Sequence, residues 1–210
     1  ENLSRDPDQQ YFADAMTDEI ITTLAKIGAL RVIAQSSVAS YRGTRKSVQQ
    51  IARELGVDAL VVGSVLRAGD QVRINARLVR ASNGQDLWDE RYERTLENIL
   101  ALQSDVASAI ARQIQITVTP EERVRLATVR RVNPRAYEAY LRGRQAWDQG
   151  EIEGWKRALA FFQRAVEIDP EYAPAYAGIA DCYYAFSGVT MEPQEAIPHR
   201  RAAALRALAL

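Results

Sequence analysis

The architecture of this chain is decided by the stretch Arg157-Ala158-Leu159-Ala160-Phe161-Phe162-Gln163-Arg164-Ala165-Val166-Glu167-Ile168-Asp169-Pro170. Ala158, Phe162 and Ala165 are spaced by four and three residues, which places them on one face of a helix. Pro170 ends that helix, because proline has no backbone N–H to donate and disfavours a helical residue before it. A second helix is predicted directly afterwards, and its apolar face carries Tyr176, Ile179, Ala180 and Tyr183. The stretch therefore predicts a helix-turn-helix unit in which small and large residues alternate.

This alternation resembles the tetratricopeptide (TPR) signature. The resemblance implies a helical scaffold that binds a protein or peptide partner. Residues 164–168 resemble residues 206–210, which lie 42 positions later, whereas the usual TPR period is about 34 residues. We therefore expect an insertion at residues 187–193 in the second repeat, and an enlarged loop at residues 148–151 between the first two helices.

The composition is that of an ordinary globular chain. Hydrophobic residues make up 47% of the 210 residues, and basic and acidic residues both number 27. Because neither half of the chain is basic, we predict that it does not contact nucleic acid. No apolar run approaches the roughly 18 residues that a membrane span requires. The sequence thus predicts no membrane span, and it leaves open whether the chain lies in the bacterial cytoplasm or on the periplasmic side of an inner-membrane protein.

Catalytic and metal-binding constellations are not found in the sequence. Cys182 and His199 are its one cysteine and its one histidine, which excludes an internal disulfide and a Cys/His zinc site. Asp14, Asp18 and Glu19 lie on a predicted helix without further ligands at metal-binding spacing, so we expect them to be solvated. The sequence predicts no catalytic residue, no metal and no cofactor, and therefore a non-enzymatic chain.

The first half of the chain carries sequence signals for two helices, and a short apolar run lies between them. A helix is predicted to begin near Asp6-Pro7 and to end at Gly28. A buried strand is expected over residues 31–35, followed by a helix whose Ser47 and Gln50 form a capping box. These elements precede a segment whose pattern changes to that of strands.

Residues 59–92 predict a three-stranded meander. The segment 71–79 alternates apolar and polar residues, and Asn83-Gly84 is the preferred type I′ hairpin dipeptide. The three arginines on one face, Arg73, Arg77 and Arg80, are expected to pair with the acidic residues Asp86, Asp89 and Glu93. A long helix from Thr95 would cover the sheet, and a second capping box at Thr119 and Glu122 begins a linker helix.

Several of these segments together resemble the TolB amino-terminal-like domain. They are residues 14–20, 31–34, 51–57, 63–65 and 84–92. In bacterial signalling proteins this domain stands directly ahead of TPR repeats, as in TPR-containing adenylate cyclases and CadC-like transcription regulators.

The resemblance implies an α/β fold with a mixed sheet over residues 1–118, a linker helix at 119–132, and an all-α region of two irregular TPR repeats at 133–210. The repeat array is expected to continue beyond Leu210. The family also has a strand just before Glu1, and loss of that strand would expose a sheet edge to pairing with a neighbouring chain.

A partner-binding groove is expected on the first helix of each repeat, with Gly143 and Ala180 as the close-packing residues. The predicted groove residues are Tyr140, Arg144, Trp147, Ala177, Asp181 and Tyr184. Aromatic and charged groups in a groove suit a peptide or a helix. The alternative interpretation is that Tyr140 and Trp147 simply pack against the second helix of their repeat.

The resulting functional prediction is a non-catalytic regulatory module of a bacterial signalling protein that binds a protein or peptide through its TPR helices. The effector, a nucleotide cyclase or a DNA-binding domain, would lie outside these residues. The alternative is a cell-envelope accessory or assembly module whose α/β domain mediates oligomerisation, such as a homodimer.

Overall fold

The computed structural model describes residues 2–3, 10–116, 118–127 and 130–210. It divides into two units, Glu1–Arg131 and Val132–Leu210. The helix start expected at Asp6-Pro7 lies outside the described residues.

The first unit contains an antiparallel sheet. Its strands β1 (Ala59–Ala68), β2 (Gln71–Arg80) and β3 (Asp86–Thr95) follow one another in space as they do in the sequence. Ile74 in the central strand lies opposite Val65 on one side and Tyr92 on the other. The predicted meander is therefore confirmed, and the strands extend slightly beyond the predicted bounds.

The two faces of β2 follow the alternation in the sequence. The buried face carries Val72, Ile74, Ala76 and Leu78. On the opposite face, Arg73 pairs with Glu93 at 3.1 Å and Arg77 pairs with Asp86 at 3.4 Å. These pairs confirm the expected charge ladder for two of the three arginines. Because the side chains are exposed, each pair contributes about 0–1 kcal/mol.

Among the described residues of this unit, the α-helices that accompany the sheet are α1 (Gln10–Ala25), α2 (Gln35–Ala39), α3 (Val48–Leu55), α4 (Ile99–Gln113) and α5 (Pro120–Ala127). A short 3-10 turn at Leu96–Asn98 leads into α4. The core of the unit is supplied mainly by α1 and α4, which pack together. Its most buried side chains are those of Phe12, Met16, Ile99, Leu102 and Val106.

The strand predicted at residues 31–35 is wrong. Residues 31–34 have no regular secondary structure, and Gln35 begins α2. The outer edge of β1 is instead approached by Asn2, which bridges Val65 in parallel, and the N–H of Leu3 donates to the Val65 carbonyl at 2.9 Å. A short apolar run such as 31–35 becomes a strand only if a sheet edge accepts its backbone bonds.

Both predicted capping boxes are present. Ser47 Oγ accepts the Gln50 N–H at 3.2 Å, and Gln50 Oε1 accepts the Ser47 N–H at 2.8 Å. The same reciprocal pair joins Thr119 and Glu122 at the start of α5, at 3.2 and 2.8 Å. Each box satisfies backbone N–H groups that a helix N-terminus leaves without intrahelical partners.

The second unit consists of two consecutive helical hairpins. Helices α6 (Pro134–Asp148) and α7 (Ile152–Ile168) form the first, and α8 (Ala173–Phe186) and α9 (Pro193–Ala209) form the second. Asn133 caps α6 by accepting the Arg135 N–H at 3.0 Å. The longer connection of the second hairpin spans residues 187–192, where the insertion was predicted.

The enlarged loop predicted at residues 148–151 is wrong. Only three residues separate α6 from α7, and the extra residues lengthen the helices instead. The two helices can stay close near the turn because Gly154 has no side chain. A Cβ atom at that position would lie 2.7 Å from the Ala146 carbonyl oxygen.

The Phe162 ring is the centre of the packing between the hairpins. It lies between Gly143 of α6 and Gly178 of α8, where added Cβ atoms would come within 2.5 and 2.7 Å of ring carbons. Ala180, which was predicted to be the close-packing residue of the second hairpin, is buried but does not have this role. Gly178 replaces it, because α8 turns a different residue toward the ring.

Candidate functional site

A pocket of about 160 Å³ opens between α6 and α8. Five of the six predicted groove residues line it: Tyr140, Arg144 and Trp147 from α6, and Ala177 and Asp181 from α8. The remaining lining residues are Phe162, Pro174 and Gly178. Residues from two sequence segments that are about 40 positions apart thus meet at one depression of the helical surface.

Tyr140 belongs mainly to the core. Its side chain is only 4% exposed, and its ring centre lies 5.8 Å from that of Phe162 and 5.3 Å from that of Tyr172. The contact with Tyr172 is edge-to-face, the geometry that aromatic quadrupoles favour. Most of the Tyr140 ring therefore packs in the core, as the alternative interpretation expected. The remaining surface of the ring forms part of the pocket wall.

Trp147 is half-buried at the turn between α6 and α7. Its ring centre lies 6.0 Å from that of Trp155 on α7. The side chain therefore packs against the second helix of its hairpin and also lines the pocket. Packing and a place in the pocket are compatible, because an indole has two faces and a long edge.

Arg144 and Asp181 bring opposite charges to the pocket. Partial burial raises the pKa of the Asp181 carboxyl, while the guanidinium groups of Arg144 and Arg200 act in the opposite direction. The carboxylate therefore lies between arginines from α6 and α9. Arg200 was not predicted from the sequence, and no local signal could have found it, since its position depends on how α9 packs on α8.

Tyr184 does not line the pocket. Its side chain is 63% exposed, and the Arg200 guanidinium lies 4.7 Å from its ring centre. This contact is a cation–π interaction, which contributes about 0.5–1 kcal/mol at an exposed site. Tyr184 is thus connected to the charged part of the site through Arg200 rather than through the pocket itself.

Three ionisable side chains outside the pocket are buried, stacked on a ring or paired with an opposite charge. Cys182 is buried, and burial raises the pKa of its thiol to about 12. The His199 ring stacks on that of Tyr183 with 4.8 Å between ring centres. Asp14, a rejected metal-ligand candidate, pairs with Arg42 at 2.5 Å.

Two kinds of functional feature, a metal-binding cluster and a membrane-spanning helix, are absent from the described residues. No group of three or more His, Cys, Asp or Glu side chains there could hold a metal ion. Within the same residues, no helix has the length and apolar character needed to cross a membrane.

Comparison with known proteins connects the chain to a cyclase. No family model matches it. A protein of Rhizobium meliloti (strain 1021) named "Putative adenylate cyclase 3" is 39% identical over 180 residues, which are 86% of this chain and 31% of that protein. The chain thus spans about a third of the relative's length. The similarity supports the expected link to adenylate cyclase-like signalling proteins, while the TolB-like and TPR assignments remain predictions.

Proposed function

We propose that this chain is a non-catalytic regulatory module of a bacterial adenylate cyclase-like signalling protein, and that it binds a protein or peptide partner on the α6–α8 surface. The observation that carries the proposal is the pocket between these helices. It brings the aromatic rings of Tyr140, Trp147 and Phe162 together with the charges of Arg144 and Asp181, and charged groups beside aromatic side chains in a concave surface are typical of binding sites.

The similarity to the Rhizobium meliloti protein favours a cyclase effector over a transcription regulator. It covers only 31% of that protein, which leaves ample length elsewhere for a catalytic domain. The residues described in this chain offer no cluster of three or more His, Cys, Asp or Glu side chains that could hold a metal ion. We therefore expect the 210-residue chain, supplied with ATP and Mg²⁺ or Mn²⁺, to form no cyclic AMP.

Site-directed photocrosslinking in the full-length protein tests the binding role. A photoreactive phenylalanine analogue replaces exposed Tyr184, which lies on α8 outside the pocket lining, and a matched protein carries it at exposed Ala202 on α9. We expect position 184 to form an adduct with a discrete protein, and Asp181→Asn to reduce its yield. Equal yields at the two positions, or a yield unchanged by Asp181→Asn, would refute binding at this surface.

The functional output is the second measurement. If partner binding regulates a cyclase, Arg144→Gln in the full-length protein should alter cyclic AMP formation in cells while the protein level stays constant. An Arg142→Gln protein, changed at an exposed position two residues away that does not line the pocket, serves as the control. Identical cyclic AMP levels in both variants and the wild type would contradict a regulatory role.

A second candidate function is assembly through the sheet, and the outer edge of β1 favours it. Val61 and Val62 on this strand are 41% and 37% exposed, and apolar edge strands tend to pair with other strands. Sedimentation of the chain at several concentrations tests the candidate. A dimer that Val62→Lys converts to a monomer supports assembly, whereas a monomer at all concentrations excludes it.

A further inference from the structure

We infer that the pocket between α6 and α8 holds one phenylalanine side chain of the partner, and that Arg144 and Asp181 hold the backbone amides on either side of that side chain. This inference rests on the proposed function, because it specifies what the proposed partner presents. It makes the pocket an anchor for a single residue rather than one part of a uniform groove.

The size of the pocket is the first argument. Its volume is about 160 Å³, and an apolar protein cavity of about 150 Å³ is large enough to bind benzene. One phenyl ring therefore fits, whereas two large side chains do not. Ala177 contributes to this space, since a larger residue at its position would extend into the pocket.

The chemistry of the lining is the second argument. Three aromatic residues, Tyr140, Trp147 and Phe162, line the pocket. Pro174, Ala177 and Gly178 of α8 also line it. Aromatic rings at such sites favour edge-to-face or offset contacts with another aromatic ring. Because Phe162 is wedged against Gly143 and Gly178, this part of the wall is rigid and cannot collapse to fill the space.

The charges supply the third argument. A residue in a peptide offers backbone C=O groups that accept and N–H groups that donate hydrogen bonds. The Arg144 guanidinium is a donor and the Asp181 carboxylate is an acceptor, and both line the same pocket. The Asp181 carboxyl keeps an acceptor oxygen in either protonation state. The pair thus complements the amides that flank an inserted side chain.

Titration of the ¹⁵N-labelled chain with N-acetyl-phenylalaninamide, followed by amide NMR shifts, tests the inference. This probe carries one phenyl ring and two flanking amides. We expect saturable shifts at Gly143 and Gly178, and no saturable shifts with N-acetyl-alaninamide, which keeps the amides and lacks the ring. Equal responses to the two probes, or no response at millimolar concentration, would overturn the inference.

Two leucine substitutions sharpen the test. Ala177→Leu fills the pocket and is expected to weaken probe binding by about tenfold or more, which is a loss of about 1.4 kcal/mol or more. Ala202→Leu makes the same chemical change at an exposed position outside the pocket and should leave the affinity unchanged. The amide spectrum of each variant reports directly whether it is folded. Equal affinities for the two folded variants would refute an anchor in this pocket.

Asp181→Asn tests the amide contacts separately. It should weaken binding of N-acetyl-phenylalaninamide while leaving the phenyl-dependent shifts at Gly178 detectable at higher concentration. An unchanged affinity would show that Asp181 does not contact the amides of the probe.

The outcomes for the anchor and for the proposed function can be told apart. A chain that fails to bind the probe, yet still forms a position-specific adduct at residue 184 in the full-length protein, would refute the phenylalanine anchor and leave partner binding intact. Absence of a specific adduct would refute partner binding at this surface, whatever the probe does.

Discussion

The backbone N–H of Gly28 donates to Oε1 of Glu122 at 2.8 Å, although the two residues are 94 positions apart. The other oxygen of the same carboxylate accepts the Thr119 N–H in the capping box of α5. Glu122 is only 8% exposed. One carboxylate therefore accepts hydrogen bonds both from the N-terminal end of α5 and from the turn that follows α1. It joins these two segments within the first unit.

Replacing Glu122 tests this connection. Glu122→Ala removes two hydrogen bonds to a charged acceptor and should lower the free energy of unfolding by about 1.5–3 kcal/mol. Glu122→Gln keeps one carbonyl oxygen and should cost less. Urea denaturation monitored by circular dichroism measures both. The control is Glu121→Ala in the same helical turn, where only the helix-dipole interaction of about 0.3–1 kcal/mol is lost. Equal effects at the two glutamates would contradict the connection.

The packing of Phe162 gives the second prediction. In Gly178→Ala the new Cβ would lie 2.7 Å from the ring, and overpacking of this kind costs about 1–3 kcal/mol. If the space were open, alanine would instead stabilise the helix by about 1 kcal/mol. Thermal denaturation therefore distinguishes the two cases by the sign of the change in Tm. Adding Phe162→Leu to Gly178→Ala should cost less than the sum of the two single changes, because leucine relieves the clash.

Asp181 gives a prediction with a defined pH dependence. Burial raises the pKa of this carboxyl in the folded state, so the folded protein holds the proton more tightly than the unfolded chain. This contribution to stability is complete below the unfolded pKa and is lost as the pH rises through the folded pKa. Asp181→Asn should therefore be at least as stable as the wild type at pH 7, measured by urea denaturation.

The same substitution should nevertheless weaken probe and partner binding. A variant that is clearly less stable than the wild type at pH 7 would show that Asp181 is a structural residue whose ionised form stabilises the fold.

Cys182 provides a simple chemical test of the core of α8. Its thiol is buried and has a pKa of about 12, so only about one thiol in ten thousand would be ionised at pH 8, and the thiolate is the reactive form. We expect no reaction of the native chain with a disulfide reagent over an hour at pH 8, and one thiol to react in urea. Rapid reaction of the native chain would show that this face of α8 is open.

Much of the fold was predictable from short-range patterns. The capping boxes at Ser47 and Thr119 and the alternation along β2 specify their local structure, because a helix start depends on four residues and a strand face on every second residue. Five of the six predicted groove residues also line one pocket, and helical spacing alone places Tyr140, Arg144 and Trp147 on one side of α6.

Other features depended on partners that are distant in sequence. Residues 31–35 have an apolar pattern that suits a strand, but a strand needs a sheet edge, and the nearest edge of β1 is met by Asn2. The loop predicted at residues 148–151 failed for a related reason. Its extra residues lengthen α6 and α7, which is possible only because Gly154 allows the two helices to approach.

The sequence by itself determined the meander, the two capping boxes and most of the helices, because each depends on residues a few positions apart. It did not predict α2 (Gln35–Ala39). Only the tertiary structure decided that Gly178 rather than Ala180 packs on Phe162, that Arg200 stands beside Asp181, and that Glu122 binds Gly28. Each of these contacts joins residues from separate elements, and their meeting is set by the rotation and spacing of packed helices. Local periodicity fixes which side of a helix is apolar, but the neighbouring element decides which residue on that side makes the contact.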